Sequence, residues 1–327
     1  MKGHLLIGES QVAGLVTVSD SIRLVREAYV RLAQRRALNP ERAWLSVPGG
    51  VSVFTMPAHI LGERTVSVKI ARLNTGNPNT SLPSVLATIY VYSSLTGEEL
   101  ARVEAETLTA MRTAASTAVA TDLLARRDCK TLGVIGTGRQ ADAHLPAMMM
   151  VRKFSRILVY SRNKTRRKDF AENASSKLST PVEPASSPEE VVVSSDVVVL
   201  ATNSKLPLFK GEIVKPGTHV NAVGAALPEA REVDSLLVKR SRLIVDSIAQ
   251  AKSSYGDIMI PLQERAIRET DLNELGDLLA HPQLDFKDGE ITLFKSGGLA
   301  VLDANLANHI VTRVLNIDKE EHIESSN

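Results

Sequence analysis

The sequence predicts a doubly wound parallel α/β domain joined to an α+β domain, and three observations carry that reading. The chain is 327 residues long, more than one hydrophobic core usually serves, and so reads as two domains of roughly 100–200 residues each. From residue 132 onward, short apolar runs at 132–135, 157–160, 197–201, 220–223 and 243–245 alternate with helix-like or loop stretches. Buried parallel strands linked by crossover helices have this rhythm. The first hundred residues instead mix short strands with one clear helix. The expected division is residues 113–300 for the doubly wound domain, and residues 1–112 with 301–327 for the α+β domain.

Composition narrows the function classes. Hydrophobic residues make up 43% and charged residues 23%, as in a folded enzyme and unlike a disordered chain. Lys plus Arg is 39 and Asp plus Glu is 37, a net charge of +2. With no long basic stripe, that balance gives no electrostatic reason to expect nucleic acid. The longest apolar runs fall far short of the ~20 residues that span a bilayer. Polar residues follow Leu5-Leu6-Ile7 at once, so neither a membrane span nor a signal peptide is expected. Cys129 is the single cysteine, the seven histidines lie far apart, and no Cys–His cluster has zinc spacing. The expectation is no disulfide, no metal and a reducing, cytoplasmic setting.

Taken in order, Ser19 and Asp20 can cap a helix whose apolar residues Ile22, Val25, Tyr29 and Leu32 share one face. Asn39-Pro40 is its expected end. Residues 65–73 and 85–92 are rich in Val, Ile and Thr and read as strands. Turn formers fill 74–79 between them, and Thr96-Gly97 marks a second, hairpin-like turn. From 106 to about 126 an Ala- and Leu-rich stretch predicts a helix with Leu108, Met111, Ala115, Ala118 and Leu123 on one apolar face. The polar tail after Ile317 is expected to fray.

The sharpest signal is at 131–141. An apolar strand runs into Gly136-Thr137-Gly138-Arg139-Gln140-Ala141, and a helix-like run follows. This is G-x-G-x-x-A, the phosphate turn of a Rossmann-type dinucleotide domain. Gly136 permits the tight turn, Gly138 lets backbone approach a pyrophosphate, and Ala141 keeps helix and strand close. Amides at the helix start then face the anion. At the end of the next strand, an NAD-preferring site usually carries Asp or Glu for the ribose 2′-OH. Here stand Ser161, Arg162 and Asn163, with Arg166 one turn on. A hydroxyl and guanidinium groups suit a 2′-phosphate, so NADP(H) is expected ahead of NAD(H). The other reading of this run is a solvated basic helix start.

With that turn in place, five segments together resemble the ornithine cyclodeaminase/mu-crystallin family over nearly the whole chain. They are Met56-Pro57-Ala58 after a region carrying Arg42, Lys69 in its strand, and Thr109-Ala110-Met111-Arg112-Thr113-Ala114-Ala115. The other two are 217–225 followed by Arg231-Glu232-Val233-Asp234, and 292–300 followed by Asp303. The resemblance implies a substrate site of Arg42, Met56, Lys69 and Arg112, with Lys69 catalytic. The two arginines would clamp a carboxylate by forked hydrogen bonds. A lysine buried in a strand of Val and Ile would have a lowered pKa, suited to proton transfer. The resemblance also implies that Thr113, Thr202, Val223, Gly224 and Ser296 join the phosphate turn and Ser161–Arg166 in holding the dinucleotide. It makes the α+β domain the substrate-binding and dimerisation domain, and implies a homodimer built by residues 1–112 with a C-terminal helix near 301–314.

Members that cyclise ornithine carry Glu two residues before the Met-Pro pair and Asp after the late Gly-Gly; here those positions are Phe54 and Ala226. Neither side chain titrates, so neither can handle a distal amine. The expected function is therefore an NAD(P)H-dependent oxidoreductase on a small α-imino or α-amino acid. Cyclic ketimine or pyrroline-2-carboxylate reduction and alanine dehydrogenation are its two forms. An ornithine cyclodeaminase-type lyase and a non-catalytic NADPH-dependent small-molecule binder are the alternatives.

Overall fold

The computed structural model describes residues 4–74, 76–77, 82–281 and 289–324, with side chains of the last helix as far as Leu315. The chain divides into two compact units, Met1–Arg112 with Leu299–Asn327, and Thr113–Gly298. The first begins with β1 (Leu5–Ile7), α1 (Glu9–Leu15), α2 (Val18–Ala33), β2 (Ala37–Leu38), β3 (Ala43–Val47), β4 (Val51–Ile60), β5 (Thr65–Asn74), β6 (Val85–Ser93) and β7 (Glu99–Glu104). Its sheet has the order β1-β7-β6-β5-β4-β2, with β3 also paired to β4. All neighbours are antiparallel except β1 and β7. The expected strands at 65–73 and 85–92 are β5 and β6, and Gly97, at φ 73, turns the hairpin from β6 into β7. Of the turn expected at 74–79, residues 75, 78 and 79 lie outside the described residues.

Two helices differ from expectation. α2 is capped by Thr17, not by Ser19 or Asp20. The Thr17 hydroxyl accepts from Asp20 N at 3.0 Å, while the Asp20 carboxylate accepts from Thr17 N at 3.2 Å. This reciprocal box needs the hydroxyl three residues ahead of the acid, which sets the first turn two residues early. Its end also comes early: Arg35 adopts φ 56, a left-handed turn well before Asn39-Pro40. α3 (Glu106–Leu124) starts where Glu106 N and Thr107 N donate to the Glu9 carboxylate at 2.7 and 2.8 Å. It has no single apolar face: from Leu108 to Thr121 every residue except Met111 is buried. Its alanines, serine and threonines are small enough for close packing on all sides.

The second unit holds β8 (Thr131–Ile135), α4 (Arg139–Val151), β9 (Arg156–Tyr160), α5 (Lys164–Leu178), β10 (Val182–Pro184), α6 (Pro188–Ser194), β11 (Val197–Leu200) and β12 (His219–Ala222). It continues through α7 (Ser235–Arg240), β13 (Ser241–Val245), α8 (Ile248–Ser254), α9 (Gly256–Gln263), β14 (Leu272–Glu274), α10 (Leu275–Ala280) and β15 (Ile291–Lys295). All eight strands are parallel, in the order β10-β9-β8-β11-β12-β15-β13-β14. The doubly wound fold is as expected, with three strands, β10, β14 and β15, beyond the five apolar runs. Chain progression reverses between β8 and β11, so the carboxyl ends of those strands open a ligand crevice. Val197–Leu200 are all buried, at about 1.5–3 kcal/mol per large side chain. His219 and Asn221 are the polar exceptions in β12: His219 Nδ1 lies 2.8 Å from Thr292 Oγ1, and Asn221 donates to Thr121 Oγ1 at 3.0 Å. Arg152 closes the end of α3, donating to the carbonyls of Thr121, Asp122, Ala125 and Arg126 at 2.8–3.1 Å.

The final helix, α11 (Ala300–Glu324), belongs to the first unit and packs on β4, β5 and α2. Val301 N donates to Asn39 Oδ1 at 2.8 Å, so the Asn-Pro pair expected to end α2 instead caps this helix. The backbone stays helical seven residues past Ile317, where fraying was expected. Lys and Glu propagate a helix well, and nothing after Gly298 interrupts it. Residues 325–327 of that tail lie outside the described residues.

Candidate active site

In the first unit the antiparallel register builds one functional face. Met56 on β4 stands opposite Lys69 on β5, and Lys69 opposite Ile89 on β6. Paired residues project to the same side, so Lys69 stands among Met56, Ala58, Ala71 and Ile89, all buried. Lys69 Nζ donates to Asp303 Oδ1 at 2.9 Å, and Arg112 Nε donates to the same oxygen at 3.1 Å. Burial is the main force on Lys69, lowering its pKa to about 8. Asp303 pulls it back up, while the charges of Arg112 and Arg42 press it down further. Arg42 precedes β3 and sits over the Phe54 ring at 5.6 Å, with Trp44 stacked on that ring at 6.3 Å.

Four of the residues singled out in the sequence, Arg42, Met56, Lys69 and Arg112, thus lie in one unit around one sheet face. Two cations, Lys69 and Arg112, meet one carboxylate there while the charge of Arg42 also acts on Lys69, and the second oxygen of Asp303 is buried without a hydrogen bond. Such a cluster favours an anionic ligand group, because an unneutralised buried charge is costly. Asp303 closes the C-terminal motif, which by itself assigns this residue no role. The signal was its place as the one acid in the apolar run 299–304, where burial demands a partner.

The dinucleotide candidates line the carboxyl ends of the second unit's strands. Gly136 follows β8 at φ 124, and a Cβ there would strike the Ala201 carbonyl. Only glycine fits. Gly138 has an ordinary φ of −95, and a Cβ there would meet no protein atom within 4 Å. The fold therefore has no need of glycine at 138, whereas a ligand approaching the backbone would. Ala141 is fully buried, as close packing of helix on strand requires. Thr137 and Arg139 flank Gly138, and Gln140 Oε1 is buried without a hydrogen bond. These residues fit a pyrophosphate. Thr202, Val223 with Gly224, and Ser296 follow β11, β12 and β15, and Thr113 lies buried on α3.

Some of these side chains are committed within the fold. The Thr202 hydroxyl donates to Glu232 at 2.8 Å, and Ser296 Oγ donates to Asp246 Oδ2 at 2.8 Å. Asn163 caps α5 by accepting from Arg166 N at 3.0 Å, and Ser161 Oγ donates to Asn163 O at 3.2 Å. Arg162 and Arg166 are exposed at the start of α5, whose first turn holds no acid. Glu232 and Asp246, the carboxylates that hold these loops, were not singled out as site residues. Among the described residues, no group of three or more His, Cys, Asp or Glu could hold a metal ion, and no helix is long and apolar enough to cross a membrane.

The family model for the ornithine cyclodeaminase/mu-crystallin family matches residues 4–318. The chain belongs to that family. A Delta(1)-pyrroline-2-carboxylate reductase of Bacillus cereus is 31% identical over 315 residues, 95% of this chain and 97% of that one. The structure of the Thermococcus litoralis Delta(1)-pyrroline-2-carboxylate reductase in complex with NADH and L-proline is similar at 36% identity and a TM-score of 0.93, covering 96% of this chain and 98% of that one. An archaeal alanine dehydrogenase dimer with bound NAD is similar at 30% identity and a TM-score of 0.90, covering 96% and 97%. Membership in this family accounts for the co-occurrence of the five segments and for both units of the fold.

Proposed function

We propose that this chain is an NAD(P)H-dependent oxidoreductase acting on a small α-imino or α-amino acid, with a cyclic imino acid such as pyrroline-2-carboxylate as substrate. The observation that carries the reading is Lys69, buried on a largely apolar sheet face, hydrogen-bonded to Asp303 and flanked by Arg112. Arg112 and Arg42 bind the substrate carboxylate, and Met56 lies beside its carbon skeleton. Lys69, with a pKa near 8, is protonated at neutral pH and delivers a proton to the substrate nitrogen; in the reverse direction it takes one up. Gly136–Gln140 hold the pyrophosphate, and the loops at Thr202, Val223–Gly224 and Ser296, with Thr113, complete the cofactor site. When bound, the reduced nicotinamide supplies the hydride.

Ser161, Arg162 and Arg166 favour NADPH over NADH. The related structures named above hold NADH and NAD, so this preference rests on the chain's own basic residues. Alanine dehydrogenation is the second reading, favoured by the likeness to the archaeal enzyme. The first unit serves as substrate-binding and dimerisation domain of a homodimer, with exposed Trp44, Leu45 and Val47 on β3 as its apolar contact. A cytoplasmic setting is proposed from the single, buried Cys129.

The test is NADPH and NADH oxidation with pyrroline-2-carboxylate, with pyruvate plus ammonia, and with no substrate. One NAD(P)H consumed per imine reduced is expected. Absence of hydride transfer across a panel of imino and amino acids, with NADPH still bound, would favour a binder instead.

A further inference from the structure

The second unit contains a buried chain of charges that the proposed chemistry does not use. Glu232 lies in the segment before α7 and is fully buried. Its carboxylate accepts four hydrogen bonds: from Thr202 N and Thr202 Oγ1 at 2.8 Å each, from Gly224 N at 2.7 Å and from Ala225 N at 3.2 Å. Those donors come from two different loops, one leaving the carboxyl end of β11 and the other that of β12. Gly224 brings the loops together, since a Cβ there would strike Thr202 backbone and the Glu232 carboxylate.

Glu232 is itself held from behind. Its N–H and that of Val233 donate to Asp257 Oδ1 at 2.7 and 3.0 Å, and Asp257 Oδ2 pairs with Lys295 Nζ at 2.7 Å. Lys295 ends β15 and also donates to the Ala225 carbonyl. On the other side, Thr202 follows Ala201, whose carbonyl Gly136 packs against so closely that only glycine fits. Ala201 N donates to Ile135 O at 2.9 Å, one residue before Gly136. A continuous set of contacts therefore runs from Glu232 through Thr202 and Ala201 to the phosphate turn.

We propose that Glu232 is a positioning residue for the dinucleotide. By gathering the Thr202, Gly224 and Ala225 amides on one carboxylate, it holds the β11 and β12 loops, and through Ala201 the Gly136 turn, in binding-competent geometry before any ligand arrives. Preorganised donors cost no reorganisation on binding. Burial pushes the Glu232 carboxyl above its usual range, opposed first by Lys295, so the fold tolerates an unfavourable group here and assigns its four acceptor positions to loop backbone and hydroxyl. The inference rests on the dinucleotide reading of the second unit.

The test compares wild type, Glu232→Gln and Arg152→Met for NADH binding by fluorescence titration, for thermal midpoint, and for the Michaelis constants of NADH and imine. Glu232→Gln keeps the shape but turns one acceptor into a donor facing backbone amides, so the Kd and KM for NADH are expected to rise about tenfold or more. The imine KM should stay within about twofold of wild type. Arg152→Met, which loosens the end of α3, is expected to lower the thermal midpoint without raising the NADH Kd. A Glu232→Gln protein with wild-type NADH affinity overturns the inference alone. So does an equal loss of affinity in Arg152→Met, because general destabilisation would then explain both.

Wild-type protein that binds neither NADH nor NADPH removes the functional reading and this inference with it. Should Glu232→Gln fail to fold, amide hydrogen exchange on the wild type decides. Gly224 and Ala225 amides are expected to be protected before NADH is added, and fast exchange that slows only with NADH overturns the inference.

Discussion

Lys69 Nζ and Asp303 Oδ1 lie 2.9 Å apart, and the two side chains, 234 positions distant in the chain, are each 2% exposed. β5 carries the lysine in register with Met56 and Ile89, and the first turn of α11 brings the carboxylate down onto it. Arg112 shares the same oxygen at 3.1 Å. Asp303 thus divides its charge between two cations and neutralises neither. The lysine keeps enough stabilisation to stay protonated near neutrality and is still acidic enough to release a proton. Removing one partner of such a buried set typically costs about 3–5 kcal/mol, so the triad is a structural element as well as a candidate chemical one.

The first prediction concerns pH. Lys69 has a lowered pKa of about 8, so the protonated form prevails below that value. Reduction needs a proton donor, and its kcat/KM should fall as pH rises through about 8; oxidation needs a base, and its kcat/KM should rise over the same interval. Rate profiles in both directions, taken on the free-enzyme parameter, check this. A reductive profile flat from pH 7 to 10 would remove Lys69 from the proton step.

Asp303→Asn should move that limb. The aspartate raises the Lys69 pKa, while Arg112 and Arg42 lower it. Without the carboxylate the lysine titrates lower, by about one unit or more, and reductase activity at neutral pH drops. Steady-state profiles of the variant measure the displacement, and an upward shift would contradict the geometry.

Cofactor choice is tested by Arg162→Asp. The exposed guanidinium at the start of α5 is replaced by the acid that reads a ribose 2′-OH. The ratio of kcat/KM for NADPH over NADH should fall about tenfold or more. A wild type that prefers NADH would refute the 2′-phosphate reading directly.

Substrate class is tested with ornithine. Phe54, stacked on Trp44 and under Arg42, offers no carboxylate to a distal ammonium, and burying such a cation unpaired costs several kcal/mol. Stoichiometric NAD(P)H consumption with cyclic imine is expected, with little or no proline from ornithine. Proline formation from ornithine with only catalytic NAD⁺, at a rate matching the reductase, would establish cyclodeamination instead.

The last prediction concerns stability. Arg152 is buried and donates to four carbonyls at the end of α3. Arg152→Met removes the donor these carbonyls share, leaving only Thr121 O with its bond from Ala125 N, and should lower unfolding free energy by about 3 kcal/mol, visible as a thermal midpoint lower by several degrees.

The phosphate turn was legible because its pattern is local: Gly136, Gly138 and Ala141 fall within one strand–turn–helix unit, although the Ala201 carbonyl that also demands glycine at 136 comes from the residue after β11. Strands β5, β8 and β9 were legible from apolar composition for the same reason. β3 and β4 were not marked, since Pro57 and scattered polar residues blur their alternation and only pairing with β5 fixes their register. α3 read as amphipathic, yet it is buried almost all round, and no periodicity reveals how many neighbours a helix will have.

What the sequence determined alone was the fold class and the family, and it named most of the candidate site residues, because turn stereochemistry, strand composition and motif order are properties of short segments. The tertiary structure alone decided which of those residues meet. Asp303 reaches Lys69 and Asn39 caps α11 across most of the chain, and Glu232 ties the loop after β11 to the one after β12. A carboxylate's partner in a buried site is set by packing in three dimensions and leaves no trace in the spacing of residues along the chain.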